Sequence, residues 1–229
     1  MRKDCPRLTE SLVTASTRLL LALLLAMSAS VNAAEQRLLV IGDSLSAAYG
    51  LAIEQGWVSL LNHKLSKERP DWRVINASIS GETTAGGASR IDAELKRHTP
   101  TVVLIELGGN DGLRGLPLEL AEANLERMIV AARAADARVG LVGIRIPPNY
   151  GPDYSGAFVR IYSELAERHS LPLLPFLLEP IATERDAFQA DNLHPTAEVQ
   201  LRLLEHVWPL VVTLIDKPAK PTSEKPTSR

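Results

Sequence analysis

The 229 residues are 45% hydrophobic and 23% charged with a formal net charge of −2, the composition of one ordinary globular domain with a single core. Such a balance offers no electrostatic footprint for nucleic acid, which is excluded as a partner. The single cysteine, Cys5, excludes an internal disulfide framework.

The chain begins with positive charge at Arg2, Lys3, Arg7 and Arg18, then an apolar run at 19–27 and the small-residue cleavage pattern Val31-Asn32-Ala33. The run is too short to span a bilayer as a stable helix. Residues 1–33 are therefore expected to be a secretory signal peptide and the protein to reside in the periplasm, with an uncleaved anchor as the alternative. Cys5 precedes the apolar run, the wrong side for lipid attachment. Removing 1–33 takes four basic and two acidic side chains from totals of 25 and 27, leaving an excess of four acids.

Beyond that point β-rich apolar runs alternate with helical patterns. Strands are predicted at 37–41, 73–76, 101–107, 139–144 and 171–176. Helices are predicted at 57–67, 88–97, 118–134, 154–169 and 196–215; in the first, Trp57, Leu60, Leu61 and Leu65 recur at helical spacing. The alternation predicts an α/β fold, a single domain over 34–216 whose five-stranded, mostly parallel sheet lies between two layers of helices. Residues 217–229, rich in Lys, Pro, Ser and Thr, are expected to form a disordered tail.

Ligand sites in such sheets lie beyond the carboxyl ends of the strands. Three unusual turns leave those ends: Gly42-Asp43-Ser44, Ser78-Ile79-Ser80-Gly81-Glu82-Thr83 and Gly108-Gly109-Asn110-Asp111. Downstream, Asp191-Asn192-Leu193-His194 places a carboxylate and an imidazole three residues apart. A serine hydroxyl becomes nucleophilic when a base removes its proton, and His194 is the candidate base for Ser44. Asp191 suits the task of fixing the tautomer and stabilising the imidazolium. Acyl transfer also needs donors for the oxyanion. The candidates are the Ser44 N–H, available if a helix starts there, the Gly81 N–H, unobstructed by a Cβ, and the Asn110 side-chain amide.

Each motif alone has a plainer reading: a helix cap, a chance Asp-x-x-His pair, a glycine turn. Their joint placement on successive predicted strand ends is what favours catalysis. His63, His98, His169 and His206 lie in predicted helices or helix ends among charged neighbours and read as solvated. No histidine pair has zinc spacing, so no metal is expected. The absence of Gly-x-Ser-x-Gly argues against the common α/β-hydrolase elbow.

The stretches Gly-Asp-Ser-Leu-Ser (42–46), Ala-Ser-Ile-Ser-Gly-Glu-Thr-Thr (77–84), Gly-Gly-Asn-Asp (108–111) and Asp-Asn-Leu-His-Pro (191–195) resemble, in order, the four sequence blocks of the SGNH (GDSL) hydrolase family. The longer strings at 41–50, 108–115 and 145–151 resemble its subgroup of bacterial periplasmic arylesterases, acyl-CoA thioesterases and lysophospholipases. The resemblance spans about residues 37–210. It implies a flavodoxin-like sheet and hydrolysis of acyl esters and thioesters without a cofactor. It also implies Ser44 as nucleophile, His194 and Asp191 as its partners, and Ser44, Gly81 and Asn110 as oxyanion donors.

Leu45, Leu113, Ile146 and Pro147, with Leu116 and Pro148, fall on turns beside these motifs and are expected to line an acyl groove. With three Phe and three Trp in the chain and Tyr49 the one ring beside a catalytic turn, an aliphatic groove is favoured over a sugar platform. Arg114 is a candidate contact for a polar head group, or a solvated loop arginine. Expected partners are small acyl esters or thioesters, lysophospholipids among them, and nothing demands more than a monomer. The competing readings are a phosphate-holding flavodoxin-like binder, an acyl-chain carrier without turnover, and a carbohydrate O-acetylesterase.

Overall fold

Strand β1 (Gln36–Gly42) is buried from Leu38 onward, and its side chains divide by parity. Leu38 and Val40 enter one apolar cluster with Trp57, Leu61, Val207 and Val211; Leu39 and Ile41 enter another with Ile91, Leu125, Met128 and Phe158. Apolar residues at both parities are what a strand covered on two faces requires, since successive side chains point to opposite sides. In β3 (Val102–Glu106), Val102 and Leu104 likewise face the first cluster and Val103 and Ile105 the second. Each such fully buried side chain contributes about 1.5–3 kcal/mol.

The computed structural model describes residues 35–216, so the expected signal peptide at 1–33 and tail at 217–229 lie outside the described residues. With β2 (Trp72–Asn76), β4 (Arg138–Val142) and β5 (Leu173–Leu174), the strands form one parallel sheet in the order β2-β1-β3-β4-β5. Helices α1 (Trp57–Glu68) and α6 (Gln200–Ile215) cover one face. Helices α2 (Thr84–His98), α4 (Leu118–Ala134) and α5 (Pro152–His169) cover the other, and the short α3 (Gly109–Leu113) follows β3 directly. This is the expected single flavodoxin-like α/β domain, with its strand-order reversal between β1 and β3.

Three differences from the sequence reading have local causes. Helix α2 starts at Thr84, ahead of the expected residue 88, because the Thr83 hydroxyl accepts the Gly86 N–H at 3.4 Å and caps it. Strand β5 shrinks to two residues because Pro172 and Pro175 bracket it and cannot donate to a ladder. Helix α6 begins at Gln200 rather than 196, after a 3₁₀ turn at Ala197–Val199, because the Gln200 N–H bonds Ala197 O, three residues back, while Thr196 O accepts the Gln200 side-chain amide at 3.3 Å.

The other histidines are less solvated than expected. His63 is exposed, but His169 bonds Glu126 at 2.9 Å, His206 bonds the Phe176 carbonyl at 3.0 Å, and His98 pairs with Glu94 at 3.3 Å. They brace helices and loops instead.

Candidate active site

The reversal between β1 and β3 opens a crevice at their carboxyl ends, walled by the turns that follow β1, β2, β3 and β4 and by Leu178, Leu193 and His194. After Gly42 the chain makes one tight turn: Asp43 Oδ1 accepts the Leu45 N–H at 3.0 Å and the Asp43 carbonyl accepts the Ala47 N–H at 2.9 Å. The turn does not continue as the helix the sequence reading allowed, since Ala48 takes a positive φ of 59° and α1 starts only at Trp57. Ser44 is thus presented on a turn whose own N–H has no acceptor among the described residues.

A continuous chain of hydrogen bonds leads away from that serine. Ser44 Oγ lies 2.8 Å from His194 Nε2, and His194 Nδ1 lies 2.7 Å from Asp191 Oδ2. Asp191 Oδ1 accepts the N–H groups of Leu193 at 2.9 Å and His194 at 3.0 Å, so one carboxylate both shapes the turn and orients the ring. Desolvation opposes ionisation of Asp191, but the His194 N–H, the His194 ring and the Leu193 N–H outweigh it and hold the carboxyl at about 2. Asp191 is therefore ionised wherever such chemistry would run.

The other two turns converge on the same point. Gly81, in the left-handed region at φ 79°, has an N–H with no acceptor among the described residues. The reason for glycine there is that backbone conformation rather than crowding by the chain, since an added Cβ would meet only an Arg114 nitrogen at 3.9 Å. Asn110 Nδ2 donates to Glu82 O at 3.0 Å and to Asp43 Oδ2 at 3.2 Å, so both amide hydrogens are already engaged. The Gly-Gly pair before it has a cause as well: Gly108 sits at φ 122°, and a Cβ there would come within 2.3 Å of the Tyr162 hydroxyl.

Ser44, Leu45, Gly81, Asn110, Leu113, Ile146, Pro147 and His194 share a largely apolar pocket of about 330 Å³. Asp191 stands behind His194, with 41% of its side chain exposed. Arg114 and Leu116 were expected beside the pocket and do not line it: Leu116 is exposed, and the Arg114 guanidinium donates to Gly81 O at 3.0 Å and steadies the loop that presents the Gly81 N–H. The choice between head-group contact and solvated arginine thus omitted its actual bond, to the backbone.

Several contributors went unread in the sequence. Tyr49 lies against the His194 ring with centroids 4.3 Å apart, and Ile144, Leu178 and Leu193 add apolar wall. Asp111 is buried and accepts both the Thr84 N–H at 2.9 Å and the Thr84 hydroxyl at 2.6 Å, tying α3 to the start of α2. Gln189 donates to Tyr49 O at 2.9 Å and Pro195 O at 3.0 Å, fastening the histidine segment to the turn that carries Ser44. For Asp111 the visible clue was its place in the turn Gly108-Gly109-Asn110-Asp111. Gln189 left none, because its partners are backbone atoms distant in sequence.

Among the described residues no cluster of His, Cys, Asp and Glu could hold a metal ion. Residues 40–201 match the GDSL-like Lipase/Acylhydrolase family. The chain is 50% identical over 184 residues to esterase TesA of Pseudomonas aeruginosa, covering 80% of this chain and 92% of that protein. It is 44% identical over 168 residues to thioesterase 1/protease 1/lysophospholipase L1 of Escherichia coli K12, covering 73% of this chain and 79% of that one. Among solved structures, the psychrotrophic esterase EstA from Pseudoalteromonas sp., in a form inhibited by monoethylphosphonate, aligns with a TM-score of 0.76. Its identity is 42%, over 80% of this chain and 100% of that chain.

Proposed function

The chain belongs to the GDSL-like lipase/acylhydrolase family, and on that premise we propose that it hydrolyses acyl esters and thioesters through an acyl-enzyme on Ser44. The observation that carries this reading is the unbroken Ser44–His194–Asp191 chain at the wall of an apolar pocket.

The steps follow from the geometry. Ser44 Oγ attacks the acyl carbon while His194 Nε2 takes its proton, and ionised Asp191 stabilises the imidazolium through Nδ1. The carbonyl oxygen becomes an oxyanion facing the N–H groups of Ser44 and Gly81, whose directions are set before substrate arrives. Asn110 joins them by giving up the longer of its two bonds, that to Asp43. His194 then returns the proton to the leaving alcohol or thiol. Water, activated by the same imidazole, releases the acid from Ser44. The imidazole must be neutral to begin, so activity falls on the acid side.

Leu45, Leu113, Ile146 and Pro147, with Ile144, Leu178 and Leu193, receive the acyl chain. The names of the relatives support esters, thioesters and lysophospholipids as substrate classes. Action as a monomer and export through residues 1–33 complete the proposal. Cell fractionation with N-terminal sequencing tests this: absence from the periplasm would overturn the export, and an intact residue 1 on periplasmic protein would overturn the cleavage.

The decisive assay is hydrolysis of p-nitrophenyl esters from acetate to palmitate, and of a matching acyl thioester, by the mature protein and Ser44→Ala in parallel. Activity on medium or long chains, lost in the variant, is expected. Equal activity in the variant refutes the nucleophile; activity confined to acetate points to a carbohydrate O-acetylesterase instead.

A further inference from the structure

Strand β3 is apolar until its last residue, Glu106, whose side chain has no exposed surface. Its carboxyl lies directly under the nucleophile turn. Glu106 Oε2 is 2.6 Å from Ser46 Oγ and accepts the Asp43 N–H at 3.4 Å. A Cβ on Gly42 would stand 2.8 Å from the same oxygen, so the turn rests on this carboxyl with no room between. Among the described residues Oε1 is buried without a hydrogen-bond partner. The mechanism above uses none of this.

A second buried carboxyl, Asp43, adjoins it at 2% exposure. Two carboxylates buried against one turn cannot both ionise without a large penalty. Their partners decide which does. Asp43 has N–H donors from Leu45 and Asn110, which can only favour a charge. Glu106 has a hydroxyl, which serves a neutral acid equally well as acceptor, one long amide contact, and an oxygen with nothing to stabilise a charge. Resting on the reading of Ser44 as nucleophile, we propose that Glu106 carries a proton in the active protein and acts as a positioning residue. Its neutral carboxyl fixes the turn from Gly42 to Ser46 and leaves Asp43 as the single buried charge beside Ser44.

The electrostatics point the same way. Burial, and then the neighbouring Asp43 charge, push the Glu106 carboxyl well above the usual range. The remaining titratable groups around the pair are Tyr162 on α5, Asp111 on α3 and His194 beside Asp43. The Tyr162 hydroxyl donates to Leu107 O at 2.8 Å, so it gives Glu106 no proton, and burial keeps it neutral. Asp111 spends both oxygens on Thr84. Among the described residues no cation acts on Glu106, and a charge there would oppose the oxyanion forming at the Ser44 N–H.

The test compares Glu106→Gln, Glu106→Leu and Asp43→Asn with the wild type in kcat, KM and the acid limb of kcat/KM. If Glu106 is neutral, Gln replaces one uncharged group by another. kcat then stays within about threefold and the acid limb does not move, whereas Leu, which cannot bond Ser46, lowers kcat about tenfold or more at little change in KM. Asp43→Asn, which removes a charge beside His194, shifts the limb to lower pH. A Glu106→Gln limb that moves as far as that of Asp43→Asn, or a Gln variant as impaired as Leu, overturns the proposal. Should Gln fail to fold, the ¹³C carboxyl resonance of Glu106 in the wild type decides, a protonated shift at neutral pH supporting the proposal and an ionised one refuting it. Phosphonate labelling of Ser44 in each variant separates these outcomes from failure of the nucleophile assignment, on which the carboxyl resonance does not depend.

Discussion

The two halves of the candidate site are built by different means. Ser44 and Asn110 leave the ends of β1 and β3, strands locked by ladders and buried on both faces, and Gly81 follows β2, the neighbour of β1. Asp191 and His194 lie in residues 175–199, where regular structure is limited to two 3₁₀ turns and an isolated Phe188–Pro195 bridge. That segment is anchored by Phe176, Leu177, Leu178, Ile181 and Ala187, and by single bonds such as Gln189 N–H to His194 O at 2.8 Å. The strand-end half therefore holds its geometry as long as the core is folded. In the loop half the core holds the segment, but the placing of Asp191 and His194 within it depends on individual bonds, each worth about 0.5–1.5 kcal/mol, so local opening there is expected to precede that of the strands.

The sharpest way to break the comparison is to remove one member from each half. Ser44→Ala and His194→Ala should each lower kcat by about 10⁴- to 10⁶-fold, and the double variant hardly further, because the pair acts as a unit. Additive losses in steady-state assays would mean that the two halves do not meet in the reaction. Asp191→Asn is expected to lower kcat about 10³- to 10⁴-fold by misorienting the imidazole; a loss under tenfold would show that the carboxylate only shapes its turn. Asn110→Ala should lower kcat by about 10²-fold with KM little changed, as for one oxyanion donor. A KM effect alone would make Asn110 a binding group.

Gln189→Ala sharpens the contrast. It removes the donors to Tyr49 O and Pro195 O, so kcat should fall a few-fold, about three- to tenfold, while hydrogen exchange quickens at 189–195 and not in β1 or β3. Equal acceleration in the strands would show that the loop is not a separate unit.

The smallest effect is in pH, and there the halves differ in sign. Asp191 titrates at about 2, below its ordinary value near 3.9, so it contributes stability that is present above about pH 4 and lost as pH falls through 2. Asp43 is raised to about 6, chiefly by burial, so it favours the folded state most below pH 3.9 and loses that contribution as pH rises through 6. With 41% of its side chain exposed, Asp191 acts through solvent and its effect is small. Asp191→Asn should flatten the acid side of a urea-denaturation profile and Asp43→Asn the stretch between about pH 4 and pH 6; slopes of the same sign would contradict the assignment.

How much of this was legible in the chain differs between the halves in the same way. Composition and the two-parity apolar runs at 37–41 and 101–107 determined a parallel sheet between helical layers, because burial on both faces leaves a period that local sequence carries. The turns at Gly42, Gly81 and Gly108 marked the strand ends, and Asp191-x-x-His194 marked a carboxylate and an imidazole able to share one turn. The sequence did not carry the two-residue β5, the fastening by Gln189, the Tyr49–His194 contact, or the bond between Arg114 and Gly81. Nor did it show that Glu106 and Asp43 would be buried against each other beneath the serine. These depend on pairs such as Gln189 with Tyr49, 140 positions apart, and on backbone atoms that every residue offers alike. Local patterns record which face of an element is buried. Only the folded arrangement of strands decides which distant groups then meet.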